Sequence, residues 1–200
     1  MLHGFIRGLD KFLVAFFSKT KVYGRENIPD GNVVFVCNHM SIPDAFINFA
    51  VLPPKTHFMA KKEWFNNKFV GWLLGKIQVF PIDRGKVDLK SIRHACEILK
   101  KGNNLCIYPQ GTRCREPEVK IEQMHKGIGM IALKSNSTVV PLMFNSKPGL
   151  FKKNILFVGK PIDTSEFDGK WSGSELQTRF TEKVAQEMNA LLESQRKLLK

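Results

Sequence analysis

The sequence predicts a single-domain α/β fold, in which a mixed or largely parallel sheet is flanked by helices. Short apolar runs typical of buried strands alternate with segments in which apolar residues recur every three or four positions, as they do in amphipathic helices. The chain has 200 residues, 43% of them hydrophobic, which is enough to bury one sizeable core. It contains no internal repeat or linker-like tract, so one domain is expected.

The first 20 residues predict an amphipathic helix that associates with a membrane, ahead of an α/β domain over residues 21–200. Apolar residues follow one another at helical spacing: Leu2, Phe5, Ile6, Leu9, Phe12, Leu13, Phe16 and Phe17. Charged residues lie between them, a pattern typical of a helix at a bilayer surface. An ordinary core-packing helix is the alternative. The apolar run "FLVAFF" is far shorter than the roughly 18 residues that a transmembrane span requires.

The rest of the chain reads as strands and helices in alternation. Strands are predicted for "NVVFVCN", "THFMA", "IQVFPI", "NLCIYP", "TVVPLMF" and "NILFVG". Helices are predicted for "IPDAFINFAVL", "EWFNNKFVGWLLG", "VDLKSIRHACEILKKG" and "KGIGMIALKSN", followed by a long C-terminal helix that starts near residue 172. In such sheets the loops at strand ends carry the chemistry. Three loops with polar or charged residues therefore qualify, at 37–44, 81–85 and 109–115.

The charge balance favours an anionic partner. The chain has 31 lysines and arginines against 18 acidic residues, a net charge of +13. Nucleic acid, an acidic membrane surface and an acidic protein all fit this charge, and so does a merely solvated basic surface. Nucleic acid is not expected, because the sequence has no zinc ligand set, RNP-like aromatic strand or basic reading helix. The four cysteines lack metal-ligand spacing and indicate reduced thiols in a cytosolic setting.

The loop "NHMSIPD" offers a candidate general base. His39 is the side chain here whose ordinary titration range suits a base near neutral pH. Asp44 can orient it only if His39 lies in the loop and Asp44 in the first helical turn, since residues five apart do not share a helix face. Pro43 fits a helix start at that point. The alternative is that Asp44 interacts with the helix dipole and His39 is a surface loop residue.

The other two loops suggest anion binding. Arg84 follows a strand inside "PIDRG", where Asp83 and Gly85 make a turn. In "YPQGTRCR" a sharp turn at Gly111 exposes backbone N–H groups beside a hydroxyl and an arginine, which suits a phosphate. Taken singly, each loop is also explained by turn formers and solvated arginines.

In order and spacing the blocks "NHxSxxD", "AKKEW", "PIDRG", "YPQGTR" and "VVPL" resemble the lysophosphatidic acid acyltransferases of the glycerolipid acyltransferase family. The resemblance covers roughly residues 20–160. It implies transfer of a fatty acyl group to the sn-2 hydroxyl of 1-acylglycerol-3-phosphate, giving phosphatidic acid. It further implies no cofactor or metal, with acyl carrier protein, coenzyme A or acyl phosphate presenting the acyl group.

The resemblance also assigns roles to residues. His39 is the general base and Asp44 orients it, while a phosphate site is implied for Arg84, Gly111, Thr112, Arg113 and Lys61. Asn38, Ser41 and Gln110 stand in the same blocks without a settled role. The implied partners are lysophosphatidic acid, the acyl donor and a membrane surface with anionic lipid. The implied location is the cytoplasmic face of the cell membrane, peripheral or monotopic.

Two departures leave alternatives open. Gln110 replaces the glutamate that the family usually has before "GTR", so a non-catalytic lysophospholipid-binding relative is the competing interpretation. A glutamine that only shapes the turn by hydrogen bonding would leave activity intact. Cys37 and Cys114 flank the proposed site, and a covalent acyl-enzyme on either thiol is the competing mechanism.

Overall fold

The structure is a computed structural model that describes residues 2–84, 88–164, 167 and 173–198. In the described part of the chain seven strands form one sheet: β1 (Lys21–Tyr23), β2 (Val33–Cys37), β3 (Thr56–Lys61), β4 (Val79–Ile82), β5 (Asn104–Ile107), β6 (Thr138–Phe144) and β7 (Ile155–Val158). Their order across the sheet is β1-β7-β6-β2-β5-β3-β4. Five neighbouring strands from β6 to β4 run parallel, whereas β7 pairs antiparallel with β6. The predicted α/β class with a mixed sheet is confirmed.

Helices cover both faces of the sheet. They are α1 (Leu2–Ser18), α2 (Ile42–Val51), α3 (Lys68–Lys76), α4 (Leu89–Lys100), α5 (Gly127–Ser135) and α6 (Gly173–Leu198). Alternate residues of β2 point to opposite faces, as the strand period requires. Val34 and Val36 pack with α4, α5 and α6, while Val33, Phe35 and Cys37 pack with α2 and the inner side of α1. The strands therefore read as unbroken apolar runs because both faces are buried.

Helix α1 lies on α2 and leaves most of its apolar stripe uncovered. Arg7 is buried, donates a hydrogen bond to the Leu52 carbonyl oxygen after α2, and lies 5.2 Å from the centre of the Phe49 ring. Ile6 and Val14 pack against the core. Phe17 is half-buried, and the other large apolar side chains of the stripe are exposed: Leu2, Phe5, Leu9, Phe12, Leu13 and Phe16. Core packing thus explains only the minor part of the stripe.

No described helix is both long enough and apolar enough to cross a membrane. Two further differences from the sequence-based expectations are local. Strand β1 was not predicted, because three residues are too few to show a periodicity. The predicted helix "EWFNNKFVGWLLG" is interrupted at Asn67, whose side chain accepts hydrogen bonds from the backbone N–H groups of Phe69 and Val70 and so starts α3 there.

The parallel strands bring the three polar loops to one edge of the sheet. His39 follows β2, Gln110 follows β5 and Arg84 follows β4, and the carboxyl ends of parallel strands share an edge. Lys61 ends β3 opposite Ile82 of β4, so it reaches the same edge. Gly85 and Val87, which the sequence placed in a turn and a helix, fall outside the described residues.

Candidate active site

His39 and Asp44 are in contact. The imidazole Nδ1 of His39 lies 3.0 Å from Oδ1 and 3.1 Å from Oδ2 of Asp44. The Asp44 side chain is completely buried, while the His39 side chain keeps 14% of its exposure. His39 lies in the loop and Asp44 in the first turn of α2, the placement that a spacing of five residues demanded. A carboxylate at Nδ1 can orient the ring and stabilise an imidazolium.

The helix start fixes the carboxylate. Asp44 Oδ2 accepts the backbone N–H groups of Met40 at 2.8 Å and Ser41 at 2.7 Å. Ser41 is the N-cap of α2, and its hydroxyl donates to the Pro148 carbonyl oxygen at 2.9 Å. The helix begins at Ile42, so Pro43 is its second residue rather than its first. Both interpretations of Asp44 therefore apply at once: it stabilises the helix start and it holds His39.

This arrangement selects the tautomer of His39. An aspartate that already accepts two backbone N–H groups is an acceptor, so Nδ1 of His39 is the donor toward it. Nε2 then carries the lone pair and is the nitrogen that can take a proton from a substrate hydroxyl. The geometry suits a general base.

Tyr108 supports the His39 ring from the side. The two ring centroids are 4.4 Å apart at an interplanar angle of 32°. The Tyr108 hydroxyl accepts a hydrogen bond from Asn48 Nδ2 at 3.0 Å, and burial raises the pKa of that phenol well above its usual range. Asn48 stands one turn after Asp44 on α2, so the same helix holds both neighbours of the imidazole.

The side chain of Gln110 holds the backbone of His39 in place. It is buried, and its Oε1 accepts the backbone N–H of His39 at 3.0 Å. Its Nε2 is buried without a hydrogen-bond partner among the described residues. Because an acceptor oxygen is needed toward His39, the amide orientation is determined. A glutamate at this position would supply the same acceptor, so this hydrogen bond does not depend on charge.

We expect Gln110→Leu to lower turnover sharply and Gln110→Glu to stay within about tenfold of the original protein. Leucine removes the acceptor and leaves the partly buried His39 N–H unpaired, at a cost of up to about 1–3 kcal/mol in the loop that carries the base. The measurement is acyl transfer, together with thermal unfolding, for both variants. Full activity of Gln110→Leu would contradict the supporting role. A rise well above tenfold in Gln110→Glu would instead mean that the glutamine disables the site.

The side chain of Asn38 anchors the loop after β2 and has little hydrogen-bonding capacity left for a substrate. It is fully buried, and its Nδ2 donates to the carbonyl oxygens of Pro117 at 3.1 Å and Phe144 at 3.0 Å. Its Oδ1 accepts the Phe144 backbone N–H at 2.9 Å. These bonds join the end of β2 to the end of β6, and we assign Asn38 a structural task.

Arg84 and the turn at Gly111 meet directly. The Arg84 guanidinium donates a hydrogen bond to the Gly111 carbonyl oxygen, and burial lowers the pKa of this half-buried arginine. Gly111 adopts a φ of +62°. A Cβ at this position would lie only 2.4 Å from Nε2 of His125, so the backbone favours glycine and any other residue would also displace the His125 ring. Arginine stays charged in such a setting and binds phosphate oxygens in pairs.

The other predicted phosphate residues lie around this contact at different distances. Thr112 and Arg113 follow Gly111 on the turn and are exposed. Lys61 is exposed and its Nζ lies 3.3 Å from Oε1 of Glu63. Glu63 in turn interacts electrostatically with Arg84. The structure therefore brings Arg84 and Gly111 together, while Lys61 is paired with Glu63.

His125 and Lys126 were not predicted. His125 lies against Gly111, and its backbone N–H donates to the Pro109 carbonyl oxygen at 2.8 Å. Both residues line a cavity together with Arg84 and Gly111. They precede α5 in the sequence without any turn or spacing signal that connects them to "GTR", so only the tertiary structure shows that they lie beside Arg84.

The cavity next to Arg84 has a volume of about 570 Å³. Charged and polar residues line part of it, and the rest of its lining is largely apolar: Met59, Ile82, Ile92, Ile107, Met124 and Ile131. Tyr108 lines it as well, and its ring also contacts the ring of His39 at a tilt. A largely apolar space of this size with a few charged groups in its lining is typical of a small-molecule site.

The cysteines do not favour a covalent intermediate. Cys37 is fully buried in the apolar core, and burial raises the pKa of its thiol well above the usual range. Burial also raises the pKa of the half-buried Cys114 thiol. A nucleophilic thiol needs a stabilised thiolate, which is the opposite shift.

Comparison with known proteins agrees with the geometry. A family model described as Acyltransferase matches residues 19–145. The 1-acyl-sn-glycerol-3-phosphate acyltransferase of Bacillus subtilis is 35% identical over 164 residues, which are 78% of this chain and 80% of that protein. The protein of the same name from Helicobacter pylori is 31% identical over 177 residues, 82% of this chain and 74% of its own length.

A crystal structure shows the same fold. The 1-acyl-sn-glycerophosphate acyltransferase PlsC of Thermotoga maritima superposes with a TM-score of 0.68 at 23% identity, covering 96% of this chain and 81% of that one. Since the family model spans well over half of the 200 residues, the chain belongs to the acyltransferase family, and the relatives that it resembles are named 1-acyl-sn-glycerol-3-phosphate acyltransferases.

Proposed function

We propose that the protein transfers a fatty acyl group from an activated donor to the sn-2 hydroxyl of 1-acyl-sn-glycerol-3-phosphate, giving phosphatidic acid. The observation that carries the proposal is the contact of His39 Nδ1 with the buried Asp44 carboxylate, in a family whose similar members bear this activity in their names. A base beside an arginine and a glycine turn suits an acceptor that has both a hydroxyl and a phosphate.

The reaction would run as base-catalysed acyl transfer. Nε2 of His39 takes the proton of the sn-2 hydroxyl while the oxygen attacks the thioester carbonyl carbon. The tetrahedral intermediate then breaks the carbon–sulfur bond, and the imidazolium returns the proton to the leaving sulfur. Asp44 stabilises the imidazolium in between, as a buried carboxylate bonded to Nδ1 does in hydrolytic triads.

Arg84 is proposed to bind the acceptor phosphate. It lines the cavity together with His125 and Lys126, so a phosphate held there leaves an acyl chain beside the apolar part of the lining. We assign this cavity to an acyl chain of the bound substrates. The net charge of +13 favours anionic lipid, and it equally favours an acidic donor such as acyl carrier protein or coenzyme A.

The protein is proposed to act at the cytoplasmic face of the membrane as a peripheral or monotopic enzyme. The exposed side of α1, with Phe5, Phe12 and Phe16 outward, supports this placement. A second aromatic group on the chain segment around α3 has the same character, with Trp64, Phe69 and Trp72 exposed.

The test is an assay of the purified protein with lysophosphatidic acid and acyl carrier protein, coenzyme A or phosphate as the acyl carrier in turn. We expect phosphatidic acid from at least one donor, with the new chain at sn-2. Binding of lysophosphatidic acid without product from any donor would overturn the proposal in favour of a non-catalytic lipid-binding protein. The contact of Gln110 with the His39 backbone speaks against that second function, because it leaves the base in place.

A further inference from the structure

We propose that residues 145–153, the loop between β6 and β7, form a second membrane contact beside α1. In this proposal Leu150 and Phe151 enter the headgroup region of a bilayer that contains anionic lipid. The inference rests on the proposed function in that a lipid substrate requires a bilayer nearby, but binding to vesicles tests it without any turnover.

The loop continues the aromatic surface of α1. Ring centroids follow one another from Phe12 to Phe16 at 6.1 Å, from Phe16 to Phe17 at 4.8 Å and from Phe17 to Phe151 at 5.3 Å. Phe12, Phe16 and Phe151 are 64%, 67% and 74% exposed, and Leu150 is 58% exposed. A connected apolar surface of this kind is unusual on a soluble monomer and marks an interaction site.

The exposed position of Phe151 is built into the loop. Its φ is +59°, a value that bulky side chains rarely adopt. The backbone N–H of Phe151 donates to the Phe17 carbonyl oxygen at 2.5 Å, which joins the loop to the end of α1. Buried Asn154 donates to the Ser18 carbonyl oxygen at 2.6 Å and to the Gly149 carbonyl oxygen at 2.9 Å. Such a conformation persists only where its surroundings hold it, so the outward ring is a fixed feature.

The charges around the tip select an anionic bilayer as the partner. Lys147, Lys152 and Lys153 are exposed on either side of Leu150 and Phe151, and residues 145–153 contain no acidic residue. Lysines that flank an apolar tip can reach lipid phosphates while the tip enters the interface. A second copy of the chain is a poorer partner, because symmetric contact would bring these lysines together.

The loop is also hydrogen-bonded to the start of α2, the helix that carries Asp44. The carbonyl oxygen of Pro148 accepts a hydrogen bond from the hydroxyl of Ser41, whose backbone N–H donates to Asp44. A membrane contact at Leu150 and Phe151 would therefore hold the start of α2, and with it the base, close to the lipid surface that contains the acceptor.

The first test compares a double variant, Leu150→Ser with Phe151→Ser, with the control Leu198→Ser, an exposed apolar residue at the end of α6. Flotation with phosphatidylglycerol–phosphatidylcholine vesicles measures partitioning. We expect the double variant to bind at least about tenfold more weakly, because two large apolar side chains no longer leave water. The control should bind as the original protein does. Unchanged binding of the double variant would overturn the proposal.

The second test does not alter the apolar tip. In the loop triple variant, Lys147, Lys152 and Lys153 are changed to Gln. In the control triple variant the same change is made at Lys100, Lys101 and Lys134. These control residues lie near the C-terminal ends of α4 and α5, at the opposite edge of the sheet. Both triples lower the net charge equally. We expect the loop triple to lose far more of the preference for anionic over neutral vesicles. Equal losses would overturn the specific role of the loop, even if the double variant misfolds.

Activity separates this inference from the proposed function. The double variant should keep its turnover on lysophosphatidic acid in detergent micelles and lose it on vesicles. Equal loss on both would make the loop part of the reacting site and overturn the membrane role. A change of oligomeric state with unchanged vesicle binding would identify a second copy as the partner. If the original protein gives no product with any donor, the proposed function fails while the vesicle result still stands.

Discussion

His39→Ala is expected to lower acyl transfer by about 100-fold to 10⁴-fold, the range that general base catalysis contributes. The variant removes the nitrogen that takes the hydroxyl proton but leaves Asp44 bonded to the backbone N–H groups of Met40 and Ser41. The helix start, and therefore the fold, should survive. The measurement is phosphatidic acid formation under conditions that saturate both substrates.

His94→Ala is the matched control for the base. His94 is an exposed histidine of α4 that lies 3.9 Å from Glu97 and 4.8 Å, ring to ring, from Phe80, so its loss removes surface contacts and no residue of the site. We expect its turnover to equal that of the original protein. The circular dichroism and vesicle binding of His39→Ala should also be unchanged. Near-normal turnover in His39→Ala would remove the base from the mechanism.

Arg84→Ala is expected to raise KM for lysophosphatidic acid by about 10-fold to 100-fold. A hydrogen bond between charged groups contributes about 1.5–3 kcal/mol, and the phosphate would lose its arginine partner. The same variant also loses the bond to the Gly111 carbonyl oxygen, so the acceptor must be varied to separate the two effects. The measurement is KM for lysophosphatidic acid and for 1-acylglycerol, which lacks the phosphate.

If Arg84 binds the phosphate, Arg84→Ala raises KM for lysophosphatidic acid and leaves KM for 1-acylglycerol almost unchanged. Arg93→Ala, which changes an exposed arginine on α4, controls for the loss of one positive charge. An equal rise of KM for both acceptors would mean that Arg84 only shapes the turn at Gly111.

The fold was predictable because its signals are local or periodic. Buried strands such as β2 appear as apolar runs, since both faces of the sheet are covered. The contact of His39 with Asp44 was predictable as well, because it depends on one helix start within six residues. In each case the signal that allowed the prediction lies within a short segment of the sequence.

The missed features depend on distant contacts. His125 reaches Gly111 only through the path of residues 112–124, and no pattern in that segment indicates it. Phe151 points outward from a left-handed backbone conformation, and its backbone N–H is held by the carbonyl oxygen of Phe17 at the distant end of α1. The electrostatic interaction of Glu63 with Arg84 likewise depends on the pairing of β3 with β4, which brings the ends of these two strands together.

Asp44→Asn tests the role of Asp44 in placing the imidazole proton of His39, because it keeps the hydrogen bonds at the helix start. The side-chain oxygen of the introduced asparagine can still accept the N–H groups of Met40 and Ser41, both of which donate to Oδ2 of Asp44 in the original protein. The new amide group then faces His39 Nδ1 as a donor. This amide donor would shift the imidazole proton from Nδ1 to Nε2 of His39. A protonated Nε2 cannot accept the proton of the substrate hydroxyl.

A double-mutant cycle of kcat for phosphatidic acid formation tests whether His39 and Asp44 act as one catalytic unit. The cycle compares the original protein, His39→Ala, Asp44→Asn and the variant with both changes. If the two residues act as a unit, Asp44→Asn is severely impaired and the double variant is no slower than His39→Ala alone. Normal turnover in Asp44→Asn, or a double loss equal to the product of the single losses, would show that they do not act as one unit.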